Sequence, residues 1–280
     1  MKLHFFKVLM VFLFIATPIN SSAGLQLEGS FTQSGLLYGH VEPGTQIFYG
    51  ERQLKVSLDG DFILGFGRDA TQQQTLTLVT PDGITQQHQI ELKERQYNIQ
   101  RINGISARMM APNAEDLRRI QQEANLVAQA RQQDSDLPHF KDNFSWPIIG
   151  RISGIYGSQR VFNGEPRRPH FGIDIAAPTG TPVKAPAGGI VTLAHQGMFF
   201  SGATLIIDHG HGLSSSFLHL AKILVQKGEK VSQGQTIATV GATGRVTGPH
   251  LDWRINWFDQ RLDPALLVPP MPQKSISAAN

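Results

Sequence analysis

Pro169-His-Phe-Gly-Ile-Asp174-Ile-Ala-Ala-Pro178-Thr-Gly-Thr-Pro-Val-Lys-Ala-Pro186 and, further along, Thr247-Gly-Pro-His250-Leu-Asp252-Trp-Arg254-Ile-Asn256 decide how this chain is read. His170 and Asp174 stand four apart, and His250 and Asp252 stand two apart. In extended chain the side chains alternate, so each pair presents its polar members on one face. Leu251, Trp253 and Ile255 form the opposite, apolar face of the second segment. Two strands that bury one face and aim imidazole and carboxylate from the other can build a metal site. Imidazole nitrogen and carboxylate oxygen suit zinc. Each residue also has a plainer reading. His170 can be a solvated loop histidine, Asp174 a turn cap, and Asp252 the ion-pair partner of Arg254.

Four motifs in order carry a resemblance: His170-Phe-Gly-Ile-Asp174, Gly180-Thr-Pro-Val183, Phe217-Leu-His219-Leu220 and Gly248-Pro-His250-Leu251. Over about residues 145–268 the chain resembles peptidase family M23, the LytM/lysostaphin-type zinc metallopeptidases. The resemblance implies a cell-wall hydrolase with a small antiparallel β-sheet core and zinc in an open groove. It implies His170 and Asp174 as metal ligands and His219 and His250 as catalytic histidines. The family closes on His-x-His, whose second histidine is the third ligand; here that position is Asp252. A carboxylate is a competent replacement. Two carboxylates and one imidazole would neutralise Zn²⁺ and weaken its Lewis acidity, with some shift of preference toward harder ions.

The first residues read as a secretory leader: Lys2 and Lys7, an apolar run over Val8–Ala16, then Ser21-Ser22-Ala23. The run is too short to span a bilayer, so residues 1–23 are expected to be a signal peptide delivering the chain to the periplasm without stable membrane insertion. Loss of Lys2 and Lys7 takes the formal charge from +3 to +1. No basic run with interleaved aromatics appears, which excludes a nucleic-acid partner. The basic cluster Arg160, Arg167 and Arg168 reads as a solvated loop, with binding of an acidic substrate group as the alternative. With no cysteine, neither disulfide nor lipid anchor is available, and the cores alone must hold the fold.

The expected fold is mainly β. Residues 24–103 read as a small N-terminal β-sandwich, immunoglobulin-like and without chemistry. Pro43-Gly44, Asp59-Gly60 and Asp82-Gly83 mark its turns, and Asp-Gly between apolar runs signals a hairpin. Residues 104–143 form a linker with one helix, from Asn113 to about Gln133. Asn113 caps it, Glu115 and Asp116 favour its positive end, and Leu117, Ile120, Ala124, Val127 and Arg131 follow helical spacing. This helix either packs on the catalytic domain or separates two domains, and the spacer is the leading expectation. Residues 144–268 form the metallopeptidase domain, an antiparallel sheet with lipoyl-like hairpins, and 269–280 a tail. A lipoyl carrier role is excluded because Lys230 is not at the hairpin tip, which reads Ser232-Gln233-Gly234.

Period-2 alternation puts Phe217 and His219 on one strand face and Leu218 and Leu220 on the other, sending His219 to the groove. His209 and His211 offer a second His-x-His, but flanking glycines make it a turn outside the ligand set; His40, His88 and His195 stand alone. No HExxH helix is present, so base chemistry falls to histidines: His250 for proton abstraction, His219 to bind the oxyanion or orient water. The leading expectation is a zinc endopeptidase acting on peptidoglycan peptide stems, with cell-wall or divisome proteins as partners. The alternative is an inactive relative that binds wall or activates other hydrolases.

Overall fold

The computed structural model describes residues 24–272. The signal-peptide expectation for 1–23 and most of the tail lie outside the described residues. Among those described, no helix is long and apolar enough to cross a membrane.

Seven strands open the described residues: β1 (Gln26–Gly29), β2 (Leu36–His40), β3 (Gln46–Tyr49), β4 (Arg52–Leu54), β5 (Asp61–Gly65), β6 (Gln73–Val79) and β7 (Thr85–Glu91). They form a three-stranded sheet, β1-β2-β5, and a four-stranded sheet, β4-β3-β6-β7. Leu37, Phe62 and Leu64 from one sheet and Ile47, Leu76 and Leu78 from the other belong to one buried core, as a sandwich requires. Asp82-Gly83 joins the paired strands β6 and β7, as expected of a hairpin. Asp59-Gly60 does not make one: β4 pairs with β3 and β5 with β2, so this turn carries the chain between sheets. A local turn signal fixes a reversal of direction but not the strand's partner.

β8 (Ile99–Ile102), included in the sandwich by the sequence reading, instead pairs in parallel with β10 (Gln159–Phe162) of the C-terminal part. The sandwich also packs on the C-terminal part. Its core continues into that of the C-terminal part through Trp257 and Leu262, Tyr49 and Trp257 lie 6.3 Å apart, and Arg95 bonds Asp263 at 2.7 Å.

After a short helix α1 (Ala107–Met110), helix α2 spans Ala114–Arg131 and is capped by the Asn113 side chain, which accepts from the Asp116 N–H at 2.8 Å. It does not act as a spacer but lies on the C-terminal sheet. Val127 and Ala130 pack on Leu193, Met198 and Ile206, Glu123 accepts the Phe199 N–H at 2.7 Å, and Arg131 donates to Ser216 Oγ at 3.0 Å. The stripe facing the sheet therefore includes Glu123, whereas Leu117 is exposed. An apolar-only stripe misplaces the helix because polar anchors set its rotation.

The sheet beneath comprises β9 (Arg151–Gly154), β12 (Ile173–Ala176), β14 (Gly189–Met198), β15 (Gly202–Gly210), β16 (Leu213–Ile223), β17 (Lys230–Val231) and β19 (His250–Trp257), ordered β17-β14-β15-β16-β19-β12-β9 with antiparallel neighbours. The strands β13 (Pro182–Lys184) and β18 (Thr236–Val240) pair with each other, and β20 (Gln260–Leu262) returns along β19; β11 (Glu165–Pro166) flanks β10. On β19 alternation holds as read: Leu251, Trp253 and Ile255 are fully buried in the core. His250, Asp252, Arg254 and Asn256 must then share the opposite face.

Candidate functional site

Antiparallel pairing sets Asp174 of β12 directly opposite Asp252 of β19, and Leu218 of β16 on the other side of Asp252. Two carboxylates facing each other across a ladder repel and need cations to hold them. His170 is not part of strand β12. It is held in the preceding loop by its own backbone, which donates to Ser158 O at 2.9 Å and accepts from the Gly157 N–H at 2.7 Å. This brings its ring to Asp174 by a loop route rather than by strand alternation. Two glycines make room: a Cβ at Gly172 would stand 2.4 Å from Asp252 Oδ1, and one at Gly154 would stand 2.3 Å from Asp174 Oδ2.

His170, Asp174 and Asp252 each offer a ligand atom, all within 4.8 Å of one another, and all three residues are buried. His170 Nε2 and Asp174 Oδ1 are 3.1 Å apart but not aligned as a hydrogen bond. Both ring nitrogens of His170 and Asp174 Oδ1 lack hydrogen-bond partners. Buried orphans of this kind cost about 1–3 kcal/mol each, a cost that a shared cation removes. The donor set, one ring nitrogen of His170 with a carboxylate oxygen from each of Asp174 and Asp252, therefore fits zinc.

Two arginines complete the centre. Arg254 grips Asp252 with both arms of its fork, at 2.9 and 2.6 Å. Arg160 bonds Asp174 Oδ2 at 2.6 Å. Burial alone would raise both carboxylate pKa values, but Arg254 and His170 hold Asp252 well below the carboxylate range, and His170 and Arg160 lower Asp174 despite the neighbouring Asp252. Arg160 is thus no solvated loop residue. Each carboxylate of the pair thus already shares its charge with a guanidinium. Asp252 is both a candidate ligand and the partner of Arg254. A carboxylate has lone pairs for both roles.

His219 reaches the groove by a different path from the one alternation gives. Between the pairs Leu205↔Phe217 and Ala203↔Leu220, β16 has two residues where β15 has one, a bulge. Phe217 and Leu220 both enter the core, and His219 takes a left-handed φ of 61°. Such a conformation costs a non-glycine residue about 1–3 kcal/mol and marks functional positions. His219 Nδ1 donates to Thr243 O at 2.8 Å and His250 Nδ1 to Gly248 O at 2.9 Å. Each bond leaves Nε2 as the free ring atom. The two rings lie 4.9 Å apart, and His250 Nε2 is 3.7 Å from Asp174 Oδ1. Burial pushes the His219 pKa down to about 4, so its ring is neutral and Nε2 accepts. The remaining His-x-His lies elsewhere: His209 is buried between Gly188 O and Ser215 Oγ, and His211 stacks on Phe140.

The comparisons with known proteins bear on this geometry. The sequence pattern of peptidase family M23 matches residues 168–264. A solved structure of an M23 peptidase candidate from Pseudomonas aeruginosa matches with a TM-score of 0.67 at 30% identity, covering 85% of this chain and 95% of that one. The chain belongs to peptidase family M23. Among its M23 relatives, the peptidoglycan DD-endopeptidase ShyA of Vibrio cholerae is 44% identical over 106 residues, 38% of this chain and 24% of ShyA. The DD-carboxypeptidase/endopeptidase Mpg of Neisseria meningitidis is 38% identical over 127 residues, 45% of this chain and 29% of Mpg. The aligned part is therefore under a third of the length of these two relatives.

Proposed function

We propose that this M23 chain is a periplasmic zinc metalloendopeptidase that cuts peptide crosslinks of peptidoglycan. The observation that carries it is the buried, unpartnered trio of His170 Nδ1, His170 Nε2 and Asp174 Oδ1 beside Asp252, within reach of two histidines whose Nε2 atoms are free. His170, Asp174 and Asp252 would hold the metal, which when bound polarises the scissile carbonyl and acidifies water. His250 Nε2 accepts a proton from the attacking water and, as imidazolium, returns it to the leaving amine. His219, neutral and with its proton fixed on Nδ1 by Thr243, has no Nε2 hydrogen to offer an oxyanion. In this reading its role is to accept from the water and orient it, the second of the two roles expected from the sequence. The left-handed bulge holds that acceptor in place. Wall peptide stems are the substrate in this reading, and wall or divisome proteins the partners.

A second reading is favoured by the arginines. With Arg160 on Asp174 and Arg254 on Asp252, the two carboxylates are balanced without a metal, as a regulator that has lost catalysis would allow. Incubating purified sacculi with the protein and zinc, then separating the muropeptides, decides between them. The enzyme reading expects crosslinked dimers to fall as monomers rise. Unchanged dimers across several pH values and metals would overturn the enzyme reading.

A further inference from the structure

Beside the metal residues, under helix α2, lies a cavity of about 440 Å³ whose lining includes Arg131, Arg254, Arg261 and Asn256. That volume is within the range of small-ligand sites. The three arginines come from three elements: the end of α2, β19 and β20. Arg254 discharges onto Asp252. Arg131 is 8% exposed; it donates one Nη2 bond to Ser216 Oγ, and its buried Nε has no partner. The Arg261 guanidinium has no ion-pair partner among the described residues, and its ring contact is Phe171 at 5.8 Å.

Acidic groups offset this charge only in part: Asp252 acts on Arg131, and Asp259, which also lines the cavity, acts on Arg261, neither through an ion pair. Glu123 lines the cavity but its carboxylate is spent on Arg119 and the Phe199 N–H. Asp259 stands in the exposed turn before β20 and accepts from Gln260. Two further buried polar atoms of this region, Asn256 Oδ1 and Ser214 Oγ, have no partner. Burial lowers the pKa of Arg131 and Arg261, and mutual repulsion with Arg254 lowers both further. A buried cation such as Arg131 is normally paired. An unpaired pair of guanidiniums around a cavity is a site built for an anion, and the planar fork of arginine matches a carboxylate.

We propose that this cavity binds a carboxylate carried by the peptide being cut, with Arg131 and Arg261 as its specificity-determining residues. The proposal rests on the peptidase reading for the source of the anion. The cavity adjoins Arg254, whose partner Asp252 is a candidate ligand, so a chain lying along the groove face of β19 reaches both. Helix α2 thereby supplies part of the substrate site instead of separating two domains.

The test compares two probes: a soluble crosslinked muropeptide dimer with free carboxylates and the same dimer with its carboxylates amidated. Equilibrium binding is measured by calorimetry on full-length, metal-depleted protein, where no cleavage occurs, and kcat and KM on the zinc-loaded protein. Arg261→Gln is the main variant, since Arg261 is half-buried at the rim; Arg131→Gln is the second, checked by thermal melting. Loss of a hydrogen-bonded charge contact should weaken binding of the free-carboxylate dimer ~10-fold or more and raise its KM, with kcat, zinc content and binding of the amidated dimer unchanged. Equal losses for both probes, no loss for either, or a wild-type protein that does not prefer the free carboxylates would overturn the proposal. Selective binding without cleavage would instead overturn the peptidase reading and leave the carboxylate site standing.

Discussion

Asp252→His, which completes the family's closing motif, is expected to damage this protein unless Arg254 is changed with it. In the wild type the Arg254 fork spans both Asp252 oxygens at 2.9 and 2.6 Å. The Arg254 side chain is 22% exposed and that of Asp252 1% exposed. Removing one partner of a buried pair strands the other charge and costs about 3–5 kcal/mol; partial exposure of Arg254 places this site at the lower end, about 3 kcal/mol. The stranded guanidinium also repels an incoming Zn²⁺, so affinity should fall at least roughly tenfold, equivalent to about 1.4 kcal/mol. Arg254→Met with Asp252→His removes the stranded charge and restores a neutral nitrogen ligand. The assays are urea unfolding of metal-free protein and zinc affinity by competition with a chelator. The expected order of affinity is Asp252→His below both wild type and the double variant. A single Asp252→His variant as stable as wild type and binding zinc as tightly would refute the idea that Arg254 is matched to Asp252.

Two further outcomes follow from the groove and the core. His219→Ala and His250→Ala should each keep full zinc while wall cleavage falls ~10²–10⁴-fold, checked by metal content and muropeptide release on the same samples; zinc loss in His250→Ala would make it the third ligand. His209 is neutral in the fold because burial pushes its pKa down to about 4 from the ordinary 6.5. Between those values the unfolded chain binds the extra proton, so its contribution, on the order of 3 kcal/mol, is present above pH 6.5 and lost as pH falls toward 4. Melting temperature followed across that window should drop more steeply in wild type than in His209→Gln; parallel slopes would show that His209 is not the group responsible.

What the sequence made legible is what regular geometry governs. The two faces of β19 are as alternation dictates because that strand is uninterrupted through His250–Trp257. The Asn113 cap is local to its helix and was readable for the same reason. His219 was assigned to the groove by a rule that does not apply there: with Phe217 in the core, strict alternation would turn His219 to the core as well, and the one-residue bulge reverses that parity. Arg160 was misread because its partner lies 14 residues away and a long side chain can reach across a loop that looks solvated. Neither the docking of α2 nor the change of sheet at Asp59-Gly60 is encoded in a local window, since each depends on which distant surface offers polar anchors or open strand edges.

The most direct measurement is the metal content of the purified chain and of its His170→Ala variant by mass spectrometry of the elements, with folding of both confirmed by melting. His170 is 1% exposed and both its ring nitrogens are unpaired, so the site should hold one zinc per chain in the wild type and lose it when this ring is removed. A folded wild type that binds no zinc even when supplied with it, or a His170→Ala variant that keeps a full equivalent, would contradict the metal centre on which the proposed chemistry depends.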